Sequence, residues 1–138
     1  MTAEGPRGTL TLQTIPMPKD TNANGDIFGG WLMSQMDLAC SVLARQRARG
    51  RVATVAVDGM SFHRPVRVGD VLSVHADLVR EGSSSMAIDV EAWVMRQPDG
   101  ERLKVTEAKF VFVAIDENGV KRRLPPRQEE PAGTDRRG

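Results

Sequence analysis

The sequence has no tyrosine, one cysteine, two histidines and only 4% aromatic residues. A lone cysteine closes no internal disulfide, and one cysteine with the scattered His63 and His75 supplies no ligand set at zinc spacing. Neither a disulfide scaffold nor a bound metal is expected. An excess of one charge is also lacking. The 19 Lys and Arg against 18 Asp and Glu leave a net charge of +1, too little to hold a polyanion, so nucleic acid is not an expected partner. No stretch approaches the roughly 20 apolar residues of a membrane span. The first ten residues are broken by Glu4, Gly5, Pro6 and Arg7 where a secretory signal needs an apolar run. The expectation is a soluble cytoplasmic protein with no membrane partner.

What is present suffices for one domain: 138 residues, 40% of them hydrophobic. A flexible N-terminus is expected over residues 1–8 and a single domain over 9–124. A disordered tail is expected over 125–138, where Pro and charged residues leave little apolar surface to offset ordering entropy. Residues 9–14 alternate Leu10 and Leu12 with polar neighbours, which predicts a short strand stopped by Pro16 and Pro18. Residues 20–26 form a turn-rich loop. From 27 to about 47 apolar residues recur at helical spacing without a proline.

Residues 52–62, 71–80, 86–96 and 103–116 then read as strands separated by Gly, Pro, Asn and Asp turn signals. One strand, one long helix and four strands predict an α+β fold, an antiparallel sheet of about five strands wrapped around a central helix. That order argues against an alternating βαβ nucleotide fold. Too few aromatics and too little chain remain to cover both faces of such a sheet, so a homo-oligomer is expected.

Along the helix, Gly30, Ser34, Asp37, Ser41 and Arg45 are spaced by four, three, four and four residues and share one stripe. Asp is a poor mid-helix residue, and burying its carboxylate costs several kcal/mol unless it is paired. Asp37 is therefore either an interface residue or a chemical group. The loop Asn24, Gly25, Asp26 leads through Ile27 and Phe28 into Gly29 and Gly30. Unpaired backbone N–H groups at a helix start suit a developing oxyanion. The same pattern also suits an ordinary cap by Asn24 or Asp26. Gly29 and Asp37 are eight residues apart, roughly 12 Å on one helix, so one chain cannot apply both to the same carbonyl. Two such helices running antiparallel would set Asp37 of one against Gly29 of the other, giving two composite sites per dimer.

The run DTNANGDIFGGWLMSQMD closely resembles the signature of YciA-type acyl-CoA thioesterases of the hotdog-fold superfamily. GRVATVAVDGMSFHRPVRVGD, EAWV and TEAKFVFVAIDENG are similar to the same family, and the likeness spans about residues 9–125. The resemblance implies a hotdog fold, and hydrolysis of acyl-CoA to free acid and coenzyme A without cofactor or metal. It also implies a homodimer that completes the active sites, further assembled as a trimer of dimers. It places the catalytic carboxylate, base or nucleophile, on Asp37 and the oxyanion-stabilising N–H on Gly29. A second catalytic polar residue falls on Asp26, where relatives often carry Asn.

Substrate contacts fall on Asn24, Gly30, Thr54, Val55, Ala56, Ser83, Ser84 and Ser85. The last three follow Gly82 in a turn whose N–H and hydroxyl groups suit phosphate or pantetheine oxygens. Arg64, Arg80, Lys121 and Arg122 are lower-ranking phosphate candidates, because exposed basic residues usually just solvate a surface. Leu38, Ala39 and Cys40 stand where relatives tend to have glycines, which would narrow an acyl channel. Cys40 on its apolar helix reads as packing, and His75 as a satisfied, partly buried residue. His63 supports one alternative, a hotdog enoyl-CoA hydratase or dehydratase. A non-catalytic acyl-CoA binding module is the other.

Overall fold

The computed structural model describes residues 5–127. Strand β1 (Thr9–Thr14) leads through a single 3-10 turn (Pro18–Asp20) to α1 (Gly29–Ala48), followed by β2 (Val52–Phe62), β3 (Val71–Glu81), β4 (Ser85–Arg96) and β5 (Glu101–Ala114). The strands form one antiparallel sheet in the order β1-β3-β4-β5-β2, so β1 and β2 are its edges.

Periodicity explains how helix and sheet meet. Leu32, Met36, Ala39, Cys40, Ala44 and Ala48 recur every three or four residues and are buried along one face of α1. They meet the inward positions of the sheet, where Leu72, Val74 and Ala76 alternate on β3 and Met86, Ile88, Val90, Ala92 and Val94 on β4. Small helix residues allow a close approach, and Phe110 and Phe112 of β5 fill the space left. Phe110→Ala is expected to cost about 3–5 kcal/mol. The shift of the denaturation midpoint measures this, with protomer concentration held fixed because assembly contributes to stability.

The helix begins two residues later than its apolar spacing suggests. Ile27 forms an isolated bridge with Thr21, and Phe28 is extended, with φ −59° and ψ 137°, so both belong to the entry loop. The other end stops at Arg49 in the left-handed region, φ 54°. There the Arg122 guanidinium donates to Ala48 O at 2.9 Å and Ile115 O at 3.0 Å. A cation on the last carbonyls satisfies groups that the helix leaves unpaired.

The chain is also docked beyond residue 124. Arg47 Nη1 donates to Pro125 O at 2.8 Å, and Arg127 pairs with Glu81 at 2.5 Å. Pro125 and Arg127 thus contact the domain at the start of the expected tail; residues 1–4 and 128–138 fall outside the described residues. Glu81 is held by the Arg47 guanidinium as well, and hydrogen bonding from Arg47 keeps its carboxyl below the usual range.

No described residue covers the outer face of α1. Met33, Leu38 and Val42 are exposed there, as are Val55 and Val57 on the neighbouring edge strand β2, with Leu38 and Val55 each 55% exposed. No described helix is long and apolar enough to cross a membrane.

Candidate active site

Asp37 lies on the third turn of α1, on the face that also carries Gly30, Ser34 and Ser41, and is half-buried. Strand β2 runs back beside α1, and Thr54 Oγ1 donates to Asp37 Oδ1 at 2.6 Å. A hydroxyl bonded to a carboxylate is a charge-assisted contact that fixes the rotamer of both. Ser34 and Ser41 turn their hydroxyls back to Trp31 O (2.7 Å) and Leu38 O (2.6 Å), which keeps the stripe small and self-satisfied.

No side chain caps the start of α1. Asn24 and Asp26, expected as caps, are exposed instead. The loop is closed by Asn22, whose Oδ1 accepts the N–H groups of Asn24 (2.9 Å) and Asp26 (3.1 Å). Gly25, at φ +84°, completes this turn by donating to Asn22 O at 3.0 Å. Such a turn uses the amide of Asn in place of a backbone group and leaves the first-turn N–H groups of α1 without an intrahelical partner. A Cβ on Gly29 would meet the Phe62 ring at 3.7 Å, and one on Gly30 would meet nothing within 4 Å. A cavity of about 330 Å³ opens here, lined by Ile27, Phe28, Gly29, Leu32, Phe62 and Val66 among others.

The two remaining groups of candidates share one end of the sheet. Ser85 pairs with Val113, and Val113 pairs with Ala53, so the turn of Ser83 and Ser84 lies two strands, about 10 Å, from Thr54. Val55 and Thr54 are exposed and Ala56 half-buried; Ser83 is exposed and Ser84 buried. The carbonyls of Ser83 and Ser84 are occupied by Leu124 N (2.7 Å) and Ala114 N (2.9 Å). Phe62 is eight residues further along β2, roughly 25 Å from Thr54. One protomer thus holds Asp37 and Thr54 in one cluster and Gly29 and Phe62 in another.

The other candidates separate clearly. Cys40 is buried, and burial pushes its thiol up, which removes the thiolate a nucleophile needs. His75 is half-buried, and desolvation lowers its pKa. His63 Nε2 lies 3.3 Å from Glu107 Oε2, on a residue with both partners exposed to solvent. Arg122 is committed to the end of α1, and Arg64 donates to Lys104 O at 3.1 Å, while Arg80 and Lys121 are exposed. Among the described residues no group of His, Cys, Asp and Glu is clustered as a metal would require. Sequence reasoning passed over Asn22 and Phe62. The first was readable from its turn chemistry, two residues before Asn-Gly; the second lies against Gly29 only through the fold.

A single long helix lying in a five-stranded antiparallel sheet, with a carboxylate mid-helix and an uncapped, glycine-rich start, defines a hotdog-fold thioesterase. The thioesterase superfamily model matches residues 24–99. The acyl-CoA thioester hydrolase YciA of Escherichia coli strain K12 is 54% identical over 123 residues, covering 87% of this chain and 93% of the relative. Among solved structures, the hexameric thioesterase of Yersinia pestis is 53% identical with a TM-score of 0.84, covering 87% of this chain and 98% of that one. A hexameric broad-specificity acyl-coenzyme A thioesterase is 51% identical with a TM-score of 0.85, over 88% and 84% of the two chains, and has also been solved as an Asp-to-Ala mutant enzyme. The chain belongs to the thioesterase superfamily and, within it, to the YciA family of acyl-CoA thioester hydrolases.

Proposed function

We propose that this chain hydrolyses acyl-CoA thioesters to a free carboxylic acid and coenzyme A in the cytoplasm, with no resident cofactor or metal. Its working unit is a dimer, three of which form a hexamer, and each active site is built from two chains. The observation that carries this reading is the Asp37 carboxylate held by Thr54 on an exposed helix face. The apolar stripe of Leu38, Val42, Val55 and Val57 around it supplies surface that a second copy would bury. The names of the E. coli and Y. pestis relatives, and the aspartate chosen for mutation in another, support the same reading.

The thioester carbonyl oxygen is placed on the N–H groups of Gly29 and Gly30 in one chain, where negative charge develops as the carbon becomes tetrahedral. Asp37 of the other chain acts on the carbonyl carbon, as base toward water or by direct attack to a mixed anhydride. The C–S bond then breaks and the thiolate leaves, taking the proton that Asp37 drew from water; on the anhydride route the thiolate takes its proton from solvent, and water then cleaves the anhydride to release the acid and restore Asp37. Thr54 orients the carboxylate, Val55 and Ala56 with Ser83, Ser84 and Ser85 receive the coenzyme A arm, and Asn24 and Asp26 flank the entrance. Release of free thiol from a series of acyl-CoA esters tests this directly, and no release from any of them would reject it.

The acyl group leaves the carbonyl on the other side, into the apolar cavity between Phe28, Leu32, Phe62 and Val66. Each methylene buried there is worth about 0.8 kcal/mol, or roughly fourfold in kcat/KM. Phe62→Ala is expected to flatten the rise of kcat/KM with acyl length while leaving acetyl-CoA turnover within about twofold of the natural enzyme. An unchanged length profile would place the acyl chain elsewhere.

A further inference from the structure

The connection between β2 and β3, residues 63–70, walls the cavity in front of the helix start and is tied down from behind by an ion pair of buried Asp70 with half-buried Arg96. Asp70 is 2% exposed, and Arg96, at the far end of β4, meets it with two bonds: Nε to Oδ1 at 3.1 Å and Nη2 to Oδ2 at 2.8 Å. The same Nη2 donates to Pro65 O at 2.9 Å, and Asp70 Oδ2 also accepts Arg67 N at 2.9 Å. Arg96 Nη2 and Asp70 Oδ2 thus bond each other and also reach the backbone of this one connection. Between Pro65 and Arg67 lies Val66, whose side chain is buried and whose carbonyl accepts Ile27 N at 3.3 Å, two residues before Gly29. The path from guanidinium to helix start runs from Arg96 to Pro65 O, along the backbone to Val66, and from Val66 O to Ile27 N. A surface pair would not need this arrangement. Buried ion pairs are often replaceable by apolar residues without loss of stability, so stability alone is a weak account of this one.

We infer that Arg96 and Asp70 are positioning residues for thioester hydrolysis: their bidentate pair holds the Pro65–Val66 wall, and through Val66 and Ile27 it sets the angle at which the Gly29 N–H meets the substrate carbonyl. This rests on the functional reading above. Neither side chain touches substrate; both act through backbone. A displacement of about 1 Å at reacting groups costs on the order of 100-fold in rate, so the clamp has a kinetic signature distinct from that of a binding residue.

The test uses the full-length protein in its assembled state. Arg96→Lys keeps the charge but, as a point cation, cannot reproduce the fork that reaches Asp70 and Pro65 together. The expected result is a kcat lower by about 10- to 100-fold with KM within about threefold. Amide exchange at Ile27 should be faster in the variant, with exchange in the centres of β3 and β4 unchanged. A folded Arg96→Lys enzyme with natural kcat, or one whose Ile27 amide exchanges as before, overturns the inference. So does a uniform acceleration of all amides, which marks a pair serving stability alone. Should Arg96→Lys fail to assemble, Asp70→Asn is read by the same two measurements and the same criteria. Failure of the natural enzyme to release thiol would count against the functional reading, and the Ile27 exchange rate would still decide the clamp.

Discussion

Asp37→Asn is expected to lower kcat for acyl-CoA hydrolysis by about 10²- to 10⁴-fold, the range associated with losing a positioned acid–base group. Asn has the shape of Asp, and its amide oxygen can still accept the Thr54 hydroxyl that now donates to Oδ1 at 2.6 Å. The substitution therefore removes basicity and nucleophilicity while leaving the local contact in place. Thiol release measured at matched oligomeric state, with melting temperature as a control on folding, separates chemistry from structure. Equal rates for the two proteins would take Asp37 out of the chemistry, and acyl-CoA binding with no thiol release from either would leave a binding module with Asp37 a mere interface residue. A hydratase acting through His63 would also survive that result. His63 lines the cavity beside Gly29 and pairs with Glu107, so substituting it in the same assay separates that reading from one that works through Asp37.

Gly29→Pro is expected to lower kcat by about 10²- to 10³-fold, the loss measured when one oxyanion donor is removed. Proline is well tolerated as the first residue of a helix, where its missing N–H has no intrahelical acceptor. The extended backbone of Phe28, φ −59° and ψ 137°, is the conformation a residue preceding proline prefers. A side chain at this position meets Phe62 only at ordinary contact distance, 3.7 Å. The helix should therefore persist while the donor disappears.

The two inactive variants together make a sharper test. In a mixed dimer of Asp37→Asn and Gly29→Pro chains, one of the two composite sites has both natural residues and the other has neither. Random pairing of equal amounts is expected to restore about a quarter of natural activity. A site contained within one chain would show no recovery on mixing.

Much of this architecture is local and was legible in the sequence. Alternation along β3 and β4 and the Gly, Pro and Asn signals between strands located each strand to within a few residues, because turn chemistry and strand period are properties of neighbours. The start of α1 was less legible. Ile27 and Phe28 fit the helical apolar spacing, yet the bridge from Ile27 to Thr21 and the bond from Ile27 N to Val66 O draw both into the loop. Asp37 stood out as a carboxylate in the wrong place for propensity, but its bond to Thr54 joins residues on two elements and has no sequence period. The same holds for Phe62 over Gly29 and for Arg96 with Asp70. Composition likewise gives no sign of single contacts such as those of Arg47 with Pro125 and Glu81 with Arg127.

The outermost position of β2 has a consequence for how this protein can change. A strand with an open edge and outward-facing valines invites adhesion between chains, and the ordinary remedy is to substitute charge there. In this molecule the same strand carries Thr54, whose hydroxyl donates to Asp37, the proposed catalytic acid group. Replacing Val55 or Val57 by lysine to improve solubility would therefore trade away turnover, and any variant that resists clumping must find its relief on some other surface.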